Sequence, residues 1–507
     1  VSLLRRSAWT GRALAAVAGV ALAFAFAPTG WWWLAPPCIA VLLALWLRAP
    51  SAREAAWQGF AFHVGTFVLG TWWLYLSIHG FGKAPIWLAL LLMAALVAIM
   101  AAWQALVGWL AFRFLPRSAG WGALLALPAA WLLVEWWRGW FLSGFPWLSA
   151  GYVLTDTPLN TLAPVGGVYL LSAVVLVSGG ALVALWQGGT RVRVVAALLL
   201  ALPWPLAWLA GRSEWTHAEG PAVSVALLQG AVPQDQKWLE DNADHILDLY
   251  ADLHRQALGA RLIVWPESAL PDAANFLSKY LGGIWSQSRA NGSDVVVGIM
   301  RIEDDGETWH NSLVALGSAD EPAFYDKHHL VPFGEYFPVP HFVREWARLM
   351  SLPYSDFIPG AQVQPPLAVA GTTLSASICY EDAYGSAQLP TVRRSQLLVN
   401  VTNDAWFGRS SARHLHFQIA RMRALESGRW MLRVANDGIT ALIDPRGRIV
   451  AEAPEFEPAV LRGEVQPRGG DTPYLRFGNV PVVVLSLFGA LGMGLRRWRL
   501  SSATRKL

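Results

Sequence analysis

The chain has 507 residues, 54% of them hydrophobic and only 15% charged, with 29 tryptophans and a mean hydropathy of +0.36. Soluble globular domains average about 25% charged residues, so a wholly water-soluble chain is excluded and at least part of this one belongs in a membrane. Basic residues outnumber acidic ones 39 to 35, but no basic run carries the interleaved aromatics of a nucleic-acid surface, and no nucleic-acid partner is expected.

Taken in chain order, eight apolar stretches approach the roughly 20 residues that cross a bilayer: about 12–28, 31–47, 57–79, 84–112, 119–137, 161–186, 192–210 and 479–495. The first two are joined by "PTGWWW", which must turn tightly. No small-residue cleavage pattern follows the first, so it reads as a retained helix and not a removable signal. Placing the chain start in the cytoplasm puts Arg5, Arg6, Arg12, Arg48, Arg53, Arg113, Arg117, Arg191, Arg193, Arg496, Arg497, Arg499, Arg505 and Lys506 on one side. Between the spans the other side holds only Lys83 and Arg138, and that asymmetry sets the orientation. The expected domains are a seven-helix transmembrane region at 1–213, an extracytoplasmic domain at 214–471, and a closing transmembrane helix with a basic cytoplasmic tail at 472–507.

The outer domain reads as strands alternating with helices. "AVSVALLQG" at 222–230 is an apolar run ending in glycine, and 236–258 has helical spacing through Trp238, Ile246, Leu249, Leu253 and Leu258. Strand signals recur in "RLIVWPE", "DVVVGIMRIE", "HNSLVALG", "LSASICYED", "QLLVNVTND", "WMLRVAND" and "GITALIDPRGRIV", with helical segments at about 273–290 and in "ARHLHFQIARMRALESGR". Strands apolar on both faces suit a layered α/β sheet covered by helices.

In such sheets chemistry collects where strands end. Two cysteines cannot form a disulfide framework; Cys38, beside "LAPP", reads as a small buried side chain, which leaves Cys379 at the end of "LSASIC" as the reactive candidate. Glu267 closes "RLIVWPE", and Lys327 lies in "YDKHHLVPFGEYFP", a stretch too rich in proline, glycine and aromatics for a helix. A carboxylate to take a thiol proton, an ammonium to support an oxyanion and a thiol to attack make a complete acyl-transfer set. His328, His329 and His414 keep a Cys/His hydrolase open as an alternative. No metal or other cofactor is implied, because "HH" at 328–329 lacks partners at zinc-like spacing.

"IVWPES", "YDKHHLVPFGEYFP" and "SASICYEDAYG", in that order, resemble the three signature regions of the nitrilase, or carbon–nitrogen hydrolase, superfamily. Joined to a polytopic N-terminal region and one closing helix, they resemble its membrane-embedded branch, the apolipoprotein N-acyltransferases. The resemblance implies a fold of eight transmembrane helices plus an extracytoplasmic αββα sandwich. It implies Glu267 as general base, Lys327 as oxyanion-stabilising residue and Cys379 as acyl-carrying nucleophile. Glu335, Glu381, Trp238 and Tyr380 match positions with auxiliary or substrate-contacting roles, while Asn403 and Asp404 in "NVTNDAWFG" are equally readable as turn residues. The implied partners are a phospholipid acyl donor, expected to be phosphatidylethanolamine, a diacylated apolipoprotein acceptor and the lipid bilayer of the bacterial inner membrane, the enzyme itself acting as a monomer. "FLSKYLGGIW" at 276–285 and "VPHFVREWARLM" at 339–350 are candidate lids or ordinary amphipathic helices. Two rivals differ in class: a tethered amidohydrolase using the same residues, and a transporter or scaffold, for which Glu135 is the main intramembrane charge.

Overall fold

The computed structural model describes residues 8–332, 334–336 and 357–504, so the segment 339–350 lies outside the described residues. The chain forms two compact units, one made of the chain up to Tyr75, Pro85–Ser213 and the segment from Arg476 onward, the other of Leu76–Ala84 and Glu214–Leu475.

The first unit is helical: α1 (Ala8–Ala23), α2 (Ala35–Arg48), α3 (Ala52–Gly70), α4 (Ile86–Phe114), α5 (Leu127–Arg138), α6 (Ala163–Gln187), α7 (Thr190–Ala201), α8 (Pro203–Arg212) and the closing helix Val480–Thr504. Local chemistry sets the ends. Ser51 caps α3 by accepting from Glu54 N–H, and Pro203, which lacks an N–H to donate, separates α7 from α8. Gly65 lets α3 approach α1, since a Cβ there would stand 2.3 Å from the Ala16 carbonyl oxygen. Cys38 is buried in α2, as expected.

Among the described residues four helical stretches are long and apolar enough to cross a bilayer: Ile86–Phe114, Pro158–Gln187, Thr190–Arg212 and Val480–Arg499. Protein buries 61% of the apolar window in Pro158–Gln187 but only 22%, 17% and 6% in the other three, which leaves their apolar faces for lipid. The expected span 57–79 stops at Gly70; Leu76–Phe81 forms a separate wide turn that packs with the second unit. Glu135 has a structural task. It accepts from Ala150 N–H and Ser172 Oγ–H, while Arg138 Nη1 donates to the Phe145 and Trp147 carbonyls at 2.8 and 2.9 Å. These buried charges satisfy irregular backbone that lipid could not, and nothing in their pairing describes a transport path.

The second unit is a four-layer sandwich of two six-stranded sheets. One has the order β13-β2-β3-β4-β5-β6, with β2 (Val223–Gln229), β3 (Leu262–Val264), β4 (Asp294–Ile302), β5 (Trp309–Leu316), β6 (Ala323–Asp326) and β13 (Ala459–Val465). The other has the order β12-β11-β10-β9-β8-β7, with β7 (Leu367–Val369), β8 (Thr372–Ile378), β9 (Leu397–Thr402), β10 (Met431–Ala435), β11 (Ala441–Ile443) and β12 (Ile449–Glu452). Short β1 (His217–Ala218) pairs with β14 (Arg468–Gly469) at the base. In each sheet the central strands are parallel, β2 with β3 and β4 in one, β8 with β9 and β10 in the other, and antiparallel strands flank them.

Inner faces of both sheets share one core that includes Val225, Val264, Val296, Leu374, Val399 and Leu432. α9 (Ala243–Ala257) and α10 (Ser278–Ala290) cover the first sheet through Ile246, Tyr250, Leu281 and Ile284. The helix Ala412–Ser427 covers the second through Phe417, Ala420 and Ala424. The candidate lid at 276–285 is thus mostly the start of α10, with Leu281 and Ile284 committed to this core. The predicted helix at 236–258 begins later, at Ala243, because Glu240–Asn242 form a single 3₁₀ turn.

Candidate active site

The ends of strands from both sheets converge on one cluster. β3 terminates because Pro266 has no N–H to continue the ladder, so the chain leaves the sheet at Glu267. Gly298 on β4 makes room for that departure: a Cβ there would lie 2.1 Å from the Pro266 carbonyl oxygen. Lys327 follows β6 directly, and its N–H donates to the Asn311 carbonyl at 2.8 Å. Cys379 follows β8 and opens the turn Cys379–Ala383 with φ of 52°, a left-handed backbone that few non-glycine residues adopt.

Lys327 is 1% exposed and Glu267 6%. Lys327 Nζ lies 3.3 Å from Glu267 Oε1 and 2.8 Å from Glu335 Oε1. Asn311 Nδ2 donates to both of those oxygens at 2.8 Å, and Asn403 N–H donates to Glu267 Oε2 at 2.8 Å. Val331 N–H fixes the other Glu335 oxygen at 2.8 Å. Burial works against the charge on Lys327, but Glu335, Glu267 and Cys379 outweigh it and push its pKa upward, so the ammonium is charged at any physiological pH. Burial raises the Cys379 pKa well above the usual thiol range; Glu267 and Asp404 add to this, while Lys327 and a Thr402 hydrogen bond oppose it. The resting sulfur is therefore a thiol beside a carboxylate and an ammonium, an arrangement in which a nucleophilic role would require a base.

The other predicted residues divide. Glu381 is 2% exposed and faces the backbone: Oε2 accepts from Ile378 N–H and Tyr325 O–H, Oε1 from His328 and His329 N–H. It ties the chain just before Cys379 to the chain just after Lys327. Tyr380 stands edge-on to Tyr384 with ring centroids 5.1 Å apart. Trp238 is 46% exposed and outside the hydrogen-bonded cluster. Its neighbour Lys237 is the buried one, donating to the Glu267 carbonyl at 3.4 Å, with its pKa lowered to about 8 by burial against the pull of Glu267. His328 and His329 send their N–H groups to Glu381, and among the described residues no three His, Cys, Asp or Glu side chains converge as metal ligands.

Residues 18–181 match the family described as apolipoprotein N-acyltransferase N-terminal domain, and 224–474 match carbon–nitrogen hydrolase. A Methylococcus capsulatus protein named apolipoprotein N-acyltransferase is 42% identical over 494 residues, 97% of each chain. This chain belongs to the apolipoprotein N-acyltransferase family. A Chromobacterium violaceum member is 42% identical over 490 residues, covering 95% of this chain and 94% of its own. Among solved structures, a carbon–nitrogen hydrolase from Helicobacter pylori G27 aligns with 48% of this chain and 89% of its own, at 14% identity and TM-score 0.36.

Several partners of the cluster in this apolipoprotein N-acyltransferase family member carry no signal in the sequence: Asn311, Lys237, and the buried group of His416 and Arg433 behind Cys379. Lys237 stands beside Trp238, and Asn311 lies within the strand run "HNSLVALG". Only the folding together of distant strands gives them their partners.

Proposed function

We propose that the protein moves an acyl chain from a membrane phospholipid to the N-terminal α-amine of a diacylated apolipoprotein, with Cys379 carrying the chain as a thioester between two half-reactions. The observation that carries this reading is the ion-paired cluster of Glu267, Lys327 and Glu335, in which Glu267 and Lys327 act on the Cys379 thiol, in a chain similar along its length to acyltransferases. Glu267 takes the Sγ proton as sulfur attacks the ester carbonyl carbon. Lys327 faces the developing oxyanion, a task for which one donor is worth roughly 3–4 kcal/mol. The ester C–O bond breaks, Glu267 returns the proton to the departing oxygen, and lysophospholipid leaves. In the second half-reaction the acceptor nitrogen attacks the thioester carbonyl and loses a proton to Glu267. The C–S bond breaks, and the sulfur recovers that proton. Glu335 steadies Lys327, Glu381 braces the two loops, and Tyr380 and Trp238 contact substrate.

A donor chain of some sixteen methylenes drawn into water would cost about 0.8 kcal/mol for each, so the donor has to arrive from the bilayer. We place the chain in the bacterial inner membrane with eight spans, as 1–213, 214–471 and 472–507, with both termini cytoplasmic and the α/β domain periplasmic. The cation asymmetry of the connecting loops supports this orientation. Phosphatidylethanolamine is the proposed donor, and the enzyme acts as a monomer.

Incubating the purified chain with acyl-labelled phosphatidylethanolamine should place label on the wild-type protein and none on Cys379→Ala, and a diacylated lipopeptide should then take the label at its N-terminus. Label persisting on Cys379→Ala would refute the thioester. Release only as free fatty acid would make the protein a hydrolase.

A further inference from the structure

Cys379 requires an explanation that its catalytic partners do not supply. A non-glycine residue in the left-handed region costs about 1–2 kcal/mol and persists only where its surroundings over-determine it. Glu267 and Lys327 act on the sulfur, whereas a different set of groups holds the backbone carbonyl. There His416 Nε2 lies 3.1 Å from the Cys379 carbonyl oxygen, and Asn400 Nδ2 donates to it at 3.2 Å. His416 comes from the helix Ala412–Ser427, and its ring is fixed at both nitrogens: Nδ1 lies 2.9 Å from Asp404 Oδ1 and Nε2 3.1 Å from Asp382 Oδ1. Arg433, from β10, spans the same two acids, with Nη1 3.2 Å from Asp382 Oδ2 and Nη2 3.0 Å from Asp404 Oδ2, and it also donates to Asn400 Oδ1. A second arm runs towards the sulfur: Thr402 Oγ1 donates to Asp404 Oδ1 at 3.0 Å, and Thr402 is among the groups that act on the Cys379 thiol.

We propose that His416 is a positioning residue: from inside a buried cluster with Asp382, Asp404 and Arg433 it grips the Cys379 carbonyl and holds the nucleophile in the turn that aims its sulfur. The proposal rests on the thioester reading above. Asp382 and Arg433 are 0% exposed, His416 1% and Asp404 2%, so a net charge here would be costly. Two carboxylates and one guanidinium balance only if the ring is an imidazolium. Arg433 Nη2 also lies 2.9 Å from His416 Nδ1. A neutral ring could accept from it there, but the same nitrogen would then turn a lone pair towards Asp404 Oδ1. Groups facing the ring include Asp382 and the Cys379 carbonyl from one turn, Asp404 from the turn after β9, and Arg433 from β10. Burial and Arg433 oppose the charge, yet Asp382 and Asp404 prevail and raise the His416 pKa to about 9. Above that pH the ring loses one of its two donors, the cluster gains a net negative charge, and the grip on Cys379 weakens. Lys327 titrates higher and Lys237 is lowered towards the same range, so the part of an alkaline limb that belongs to His416 is the part that His416→Gln removes.

The test is the rate of label transfer from phosphatidylethanolamine onto the full-length protein in lipid nanodiscs between pH 6 and 10.5. His416→Phe, which removes both donors, should slow transfer about 10²-fold, the order expected when a reacting atom is misplaced by about 1 Å. His416→Gln, which keeps one neutral donor, should stay within about tenfold of wild type at pH 7 and lose the limb near pH 9. An unchanged limb in His416→Gln overturns the proposal, whether or not His416→Phe folds. Equal slowing by both variants with the limb intact would mean a merely structural histidine and overturns it as well. The thioester reading fails separately, through label on Cys379→Ala; no label there, with wild-type rates and limb in both histidine variants, would sink the positioning role alone.

Discussion

At the residue scale the site is an arrangement of charges competing for one ammonium. Lys327 is closer to Glu335, at 2.8 Å, than to Glu267, at 3.3 Å, and Asn311 bridges both carboxylates. Glu335 thereby keeps Lys327 from closing onto Glu267, the group proposed to take the thiol proton. Glu335→Gln keeps the size and an acceptor oxygen but removes the competing charge, so Lys327 is left with a single anionic partner and moves toward it. The expected result is a fall of about 10²-fold in acyl-enzyme formation, the lower range for impaired acid–base catalysis, with a thermal midpoint lowered by a few degrees at most, because the new NH₂ group faces the Val331 N–H. Single-turnover labelling at pH 7 measures the first and a melting curve the second; a rate within threefold of wild type would remove Glu335 from the mechanism.

At the scale of elements Glu381 joins the two sheets. It receives Tyr325 O–H and two N–H groups from the β6 side and Ile378 N–H from β8, four donors for two oxygens. Glu381→Gln presents an NH₂ group to some of these donors and leaves them unsatisfied, at about 1–3 kcal/mol each. The thermal midpoint should fall by roughly 5–10 °C, and acylation should fall with it as Lys327 and Cys379 drift apart. A variant with wild-type stability would mean that other contacts hold the strand ends together. The sequence makes β2 and β4 legible because both of their faces are apolar, and β8 and β9 because one face is apolar and the other largely small or polar; it brings Glu267 and Cys379 to notice because each ends a patterned run, and Lys327 because it lies in a loop dense in proline, glycine and aromatics. The edge strands β12 and β13 are hard to read for the opposite reason: they are half exposed and their pattern is mixed. The His416 cluster is invisible at sequence level for a further reason. Its members come from two turns, a strand and a helix, and only sheet order makes them neighbours.

At the scale of the whole molecule the informative contrast is how differently the long apolar helices are covered. Protein encloses most of Pro158–Gln187 and almost none of Val480–Arg499, as a bundle with one internal helix and several lipid-facing ones would have it. Hydropathy alone marks all of these stretches as candidate spans and does not separate the enclosed one from the lipid-facing ones. It also over-extends the third, because apolar residues continue past Gly70 into Leu76–Phe81, which packs with the α/β unit. The proposed orientation in the membrane rests on loop charge and can be tested away from the Cys379 thiol. With Cys38 and Cys379 replaced by alanine, Asp304→Cys sits at an exposed turn after β4 and Arg53→Cys at the exposed start of α3. Removing one arginine leaves the cation asymmetry of the loops nearly intact. On sealed spheroplasts a membrane-impermeant maleimide should label the Asp304→Cys protein at once and the Arg53→Cys protein only after permeabilisation. The reverse pattern would put the α/β unit in the cytoplasm and separate it from any acceptor exposed on the outer face of the membrane. The acyl chain would then have to be drawn from the inner leaflet, and the substrate assignment would fall with the orientation.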